Sequence, residues 1–147
     1  MQGKGFWVGV QALLLLAETE TSTSTVLAQV LSTHAVDIRR MMARFAQAGL
    51  VQARVGREGG YRLAQSATQI TLADVYQATA ILPQKDDEHE GIRATNASAQ
   101  LVLKQVQHEL EQRHLEALRQ YSIASLLQRK IDVCLYIQAK ATKKGSL

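Results

Sequence analysis

Residues 33–64 read THAVDIRRMMARFAQAGLVQARVGREGGYRLA, and the fold turns on this stretch. Ile38, Met41, Met42 and Phe45 recur at helical spacing, which predicts a helix over residues 35–48 with one apolar face. Arg39, Arg40 and Arg44 lie off that face. Thr33 suits the N-cap, because its hydroxyl can accept from a free backbone N–H one turn in. Gly49 suits the left-handed residue that closes a helix. The period then switches to two. Leu50, Val51, Ala53 and Val55 lead into Gly56-Arg57-Glu58-Gly59-Gly60, and Tyr61-Arg62-Leu63 follow. Two short strands around a glycine-rich turn make a β-hairpin.

The flanking segments are helical. Upstream, Phe6, Val10, Leu13, Leu14 and Ala17 share one helix face. Gly9 interrupts that helix at a cost of about 1 kcal/mol relative to Ala, which points to close packing there. The hydroxyl-rich run Thr19 to Thr25 breaks the pattern, and a short helix carrying Val26, Leu27, Val30 and Leu31 follows. Ser32 to His34 form a very short break before the arginine-bearing helix. Downstream, Thr71 caps a helix bearing Leu72, Val75, Tyr76 and Thr79, which Pro83 stops. Residues 84–95 are polar and acidic. A long helix starts near Ala97, with Leu103, Val106, Leu110, Leu118 and Tyr121 as its stripe. Ser122 caps a last helix whose stripe is Ile123, Leu127, Ile131, Cys134 and Ile137, so Cys134 reads as a small buried hydrophobe.

Three helices, a hairpin, a fourth helix and long terminal helices are the layout of a winged helix-turn-helix. The fold class is therefore mainly α with a small β-hairpin wing, plus long C-terminal dimerisation helices. The third helix fits the major groove of double-stranded DNA, and Arg57 at the wing tip reaches toward the minor groove. Charge agrees. The chain carries +4 overall, and residues 34–62 hold six arginines against Asp37 and Glu58. Arginine's planar fork suits phosphate oxygens and guanine edges better than a lysine does. The long apolar stripe beyond a complete small domain calls for a second subunit. The expected organisation is a DNA-binding domain over residues 1–82, an acidic loop over 83–96, dimerisation helices over 97–139 and a basic tail over 140–147.

Other classes fall away. The longest apolar run, Ala12 to Ala17, is far short of the roughly 20 residues of a membrane span. No basic-then-apolar leader opens the chain, so a cytoplasmic protein is expected. A single cysteine precludes an internal disulfide and any site built from several thiolates of one chain. No phosphate-cradling glycine loop follows a strand and no activated nucleophile is suggested, so an enzyme is not expected.

The segment 33–51 resembles the recognition-helix region of the Rrf-two (Rrf2) family of bacterial transcription regulators. Residues 55–64 resemble that family's glycine-rich wing, and Ile70-Thr71-Leu72-Ala73-Asp74-Val75-Tyr76 the helix start after it. The resemblance covers essentially the whole chain. It implies a dimeric repressor or activator of the bacterial cytoplasm. Several members sense nitric oxide, iron–sulfur status or redox state through a cluster held by three cysteines in the loop after the fourth helix. Here that loop, Pro83 to Asn96, has none and carries Asp86, Asp87, Glu88, His89 and Glu90 instead. Hard carboxylates and one histidine do not replace three thiolates. The chain thus resembles the cysteine-poor, cluster-less branch, and no cofactor and no metal site are expected.

The resemblance also implies the DNA contacts. Thr33, His34 and Val36 open the recognition helix, and Arg39 and Arg40 stand near phosphates or the groove edge. Ser24 and Thr25, at the start of the second helix, donate to a phosphate. Arg57 is the main wing contact, and Gly59 and Gly60 take backbone conformations that a side chain would hinder. Arg44 reads as a solvated residue. Arg62 either pairs with Glu58 or a helix carboxylate, or contacts DNA. The expected function is a homodimeric, sequence-specific DNA-binding regulator, a repressor by promoter occlusion, answering to an unknown small-molecule or protein effector. The rival is a winged-helix protein-interaction module whose basic face does not read DNA.

Overall fold

Helix α1 (Lys4–Thr19) forms because Phe6, Gly9, Val10, Leu13 and Leu16 fall on one face, and all are buried. Gly9 is where α1 crosses the third helix: a Cβ there would stand 2.7 Å from Cζ of Phe45. The close approach expected at Gly9 is thus explained, since only a missing side chain lets the backbone lie on that ring. The structure is a computed structural model that describes residues 3–80 and 97–144. The acidic segment Asp86 to Glu90 and the stop at Pro83 lie outside the described residues.

Helix α2 (Ser24–Val30) begins at Thr23, whose hydroxyl accepts from the Val26 N–H at 3.2 Å. It ends in a Schellman motif. Ser32 takes the left-handed conformation at φ 51°, its N–H donates to Gln29 O, and the Thr33 N–H donates to Ala28 O at 2.9 Å. This corrects the expected role of Thr33. Its backbone closes α2, while the N-cap of α3 (Ala35–Gln47) is His34, extended and with no side-chain cap bond. Helix α3 buries Ile38, Met42 and Phe45. It also ends in a Schellman motif, in which Gly49 (φ 73°) donates to Ala46 O and Leu50 to Phe45 O.

The chain reverses through an antiparallel hairpin of β1 (Val51–Arg54) and β2 (Gly60–Leu63), in which Val51 pairs with Leu63 and Arg54 with Gly60. Val55, expected to extend the strand, lies in the turn and is 98% exposed. An isolated bridge ties Tyr61 to Ser22 in the turn between α1 and α2 through two backbone bonds, of 3.0 and 2.8 Å. The wing is thereby fastened to the helix-turn-helix.

Helix α4 (Leu72–Ala80) starts in a reciprocal cap between Thr71 and Asp74, each accepting from the other's backbone N–H. Helices α5 (Ala97–Arg119) and α6 (Ile123–Lys144) follow. A similar reciprocal pair, Ser122 with Ser125, starts α6. The joint between them folds back onto the approach to α4: Leu72 N–H donates to Tyr121 O, Ile123 N–H to Ile70 O, and Ala124 N–H to Ala67 O. Leu115, Leu118 and Ile123 then enter the same core as Phe45, Ile70 and Val75.

Leu126 packs beside them and Leu127 is half-buried, and further along the long helices the apolar stripes stay exposed among the described residues. Leu101, Leu103, Val106 and Leu110 of α5 are exposed, as are Ile131, Val133, Leu135 and Ile137 of α6. Cys134, expected to be buried, is exposed among them. Among the described residues, no element packs on these positions. Helix α6 also runs on to Lys144, into the stretch expected to be a frayed tail.

Candidate nucleic-acid interface

The residues proposed to touch DNA come from the start of α2, the first turns of α3 and the hairpin turn. Ser24 is the first residue of α2, and its Oγ accepts from Arg39 Nε at 3.3 Å. That bond ties the two helices across their tight turn. Thr25 beside it is exposed, and Thr33 is half-buried in the turn. His34, Val36 and Arg40 are exposed along the opening of α3, with Val36 at 51%. Asp37 in the first turn complements the positive end of the helix dipole. Arg44, in the last turn, is half-buried.

The wing turn spans residues 55–59, and Arg57 is exposed within it. The sequence placed the conformational demand on Gly59 and Gly60. The structure moves it: the left-handed backbone is at Gly56, φ 125°. Gly59 and Gly60 are required for closeness. A Cβ at Gly59 would meet Arg54 O at 2.6 Å and Gly56 O at 2.7 Å, and one at Gly60 would meet Ser22 O at 2.8 Å.

Among the described residues, Arg62 pairs with neither Glu58 nor a helix carboxylate. Its Nε and Nη2 both donate to Oε1 of Gln52, its cross-strand neighbour, at 3.1 and 2.9 Å. Arg54, which sequence reasoning did not single out, sits exposed where β1 enters the turn. Its place at the mouth of a glycine turn was the available signal. Among the described residues, none of Arg40, Arg44, Arg54 and Arg57 is in an ion pair. The ion pair of Lys130 with Glu18 belongs elsewhere and clasps α6 to α1 at 2.7 Å.

Two other features lie away from this surface. A cleft of about 240 Å³ is lined by Ala48, Leu50, Gln65, Gln69, Asp74, Gln77 and Ala78. It lies by the end of α3 and along α4. Between α4 and α5, Tyr76 stacks edge-on against Phe6 and His114 and donates to Glu111 Oε2 at 3.3 Å. Burial first, then the charge of Glu111 and this bond, push the phenol pKa up.

The sequence over residues 3–129 matches the Rrf2 family, described as iron-dependent transcriptional regulators. The chain belongs to the Rrf2 family. The winged fold is shared with solved structures of low sequence identity. T. potens IscR is 22% identical with a TM-score of 0.65, the alignment covering 88% of each chain. Staphylococcus aureus CymR in its oxidized form is 18% identical over 86% of this chain and 96% of that one, with a TM-score of 0.62. CymR (YrzC), the global cysteine regulator of B. subtilis, is 17% identical over 88% of this chain and 97% of that one, with a TM-score of 0.61.

The iron dependence in the Rrf2 description is a question of donor atoms. This Rrf2 chain has one cysteine in its whole length, Cys134, set in α6. Among the described residues, no group of three or more His, Cys, Asp or Glu side chains is placed to hold a metal ion. A cluster ligated by several cysteines of one chain does not fit this donor set. No helix among the described residues is long and apolar enough to cross a membrane.

Proposed function

We propose that this Rrf2 regulator is a cytoplasmic, homodimeric repressor that reads double-stranded DNA without an iron–sulfur cluster. The observation that carries the reading is the uncovered cationic surface of α3 and the wing, where Arg40, Arg54 and Arg57 lack a carboxylate partner among the described residues. Helix α3 enters the major groove with Thr33, His34 and Val36 leading, and Arg39 and Arg40 stand over the groove and its phosphates. Ser24 and Thr25 meet a phosphate, and Arg57 reaches the minor groove. Gly59 keeps the wing turn tight, and Gly60 keeps the wing close against Ser22.

Residues 1–82 supply the reading head and 97–139 the pairing helices, around one shared core. The exposed stripe from Leu103 to Leu110 and from Ile131 to Ile137 supports pairing with a second copy, because an uncovered apolar face of this extent is costly in water. Two reading heads then meet a pseudo-palindrome, about one helical turn between half-sites. An effector acts only if it binds the DNA-competent and incompetent forms with different affinity.

Selection of duplexes from a random library by the purified protein tests the reading. An enriched palindrome is expected, with affinity falling steeply as salt rises. Arg57→Ala is expected to weaken operator binding and lessen its salt dependence, with the dimer intact. Weak binding to every duplex, or binding indifferent to salt, would favour the protein-interaction module. Acid-labile sulfide in proportion to protein would refute the cluster-less reading.

A further inference from the structure

On α3, Val36, Arg40, Ala43 and Gln47 are separated by four, three and four residues, so they form one row along the helix. All four are exposed. The row lies opposite Ile38, Met42 and Phe45, which are fully buried. It is therefore the part of α3 furthest from the body of the domain. Arg39 lies about a quarter turn away, on the side facing α2, where its Nε is held by Ser24 Oγ. In a helix seated in a groove, the outermost row meets the floor and the flanks meet the walls.

We infer that Val36 and Arg40 read base edges while Arg39 is a positioning residue, and that each half-site carries a thymine read by Val36 and a guanine read by Arg40. This rests on the DNA-binding reading above and names what is read. The chemistry selects the bases. Valine has no hydrogen-bonding group, and the apolar feature of the major-groove floor is the thymine C5-methyl. Against a polar edge, valine would strip water from donors and acceptors and satisfy none of them. Arg40 sits one turn further on, with a fork that matches guanine O6 and N7. Ala43 after it is short, so the helix can approach closely. Four residues of helix advance about 6 Å, which places the two bases within about two base pairs of each other.

The test begins with sequences selected from a random duplex library. Each thymine of the selected half-site is replaced by deoxyuridine, which removes only the methyl group. Wild-type protein is expected to lose about 4-fold in affinity at one position, the value of one buried methyl. Val36→Ala is expected to bind thymine and deoxyuridine equally at that position. Arg40→Ala is expected to lose about 5-fold or more of the preference for guanine at the neighbouring position, and Arg39→Ala to keep both preferences. Circular dichroism of each variant guards against unfolding, which these exposed positions do not predict. A thymine-to-deoxyuridine ratio unchanged by Val36→Ala overturns the assignment while leaving DNA binding intact. Absence of any sequence preference in the wild type overturns both the assignment and the function beneath it.

Discussion

Replacing Gly60 by alanine adds one methyl group at the point where the wing meets the helix-turn-helix. That Cβ would stand 2.8 Å from Ser22 O and 3.1 Å from Ser22 C, well inside the 3.4 Å at which ordinary contact begins. The obstructing atom is backbone and cannot swing aside. Ser22 O already accepts from Tyr61 N–H at 2.8 Å, and Ser22 N–H donates to Tyr61 O at 3.0 Å. Moving Ser22 away breaks both bonds. At about 0.5–1.5 kcal/mol each, the substitution costs about 1–3 kcal/mol. For a chain of this size that lowers the melting temperature by about 2–12 °C. A thermal melt followed by circular dichroism measures it, with Gly5→Ala as the control. Gly5 has nothing within 4 Å of the added atom, so its variant should melt at or above the wild-type temperature. If Gly60→Ala melts within about 1 °C of wild type, the close approach is not what fastens the wing.

Two other perturbations have definite signs. Gly9→Ala gains about 1 kcal/mol of helix propensity but drives a methyl group to 2.7 Å from Cζ of Phe45, a ring with no exposed surface. The net effect expected in urea denaturation is a loss of up to about 2 kcal/mol, and a stabilised variant would overturn the packing argument. Tyr76 has its pKa raised above the ordinary 10.0, chiefly by burial and then by Glu111. The folded state therefore holds the phenol proton more tightly than the unfolded chain, a contribution present below the unfolded value and lost as pH rises through the folded one. Urea titrations from about pH 8 to about pH 11 should show wild type losing stability relative to Tyr76→Phe above about pH 10. A constant difference across that range would refute the assignment.

Most of the architecture is legible in the sequence because apolar period reports an element directly. The α3 face of Ile38, Met42 and Phe45 and the caps at Gly49, Thr71 and Ser122 are local signals, and each stands in the structure. Features that depend on which of several equivalent residues takes a given backbone angle were not legible. Thr23 rather than any neighbour in a hydroxyl-rich run caps α2, and Ser32 rather than a glycine takes the left-handed position that hands the N-cap of α3 to His34. The partner of Arg62 required the strand register that sets it across from Gln52. Exposure of Cys134 was misread because period reveals an apolar face but not the body that covers it. At the candidate interface, sequence located the arginines, while their division into one held by Ser24 and one standing clear needed three dimensions.

The three backbone bonds that join Ala67, Ile70 and Leu72 to Tyr121, Ile123 and Ala124 have a mechanical consequence. They weld the long helices to the reading head instead of leaving it on a tether. In the proposed dimer the two heads then behave as the fixed jaws of a caliper. One base pair inserted between half-sites turns the far site by about a tenth of a revolution, and a stiff frame has no slack with which to follow it.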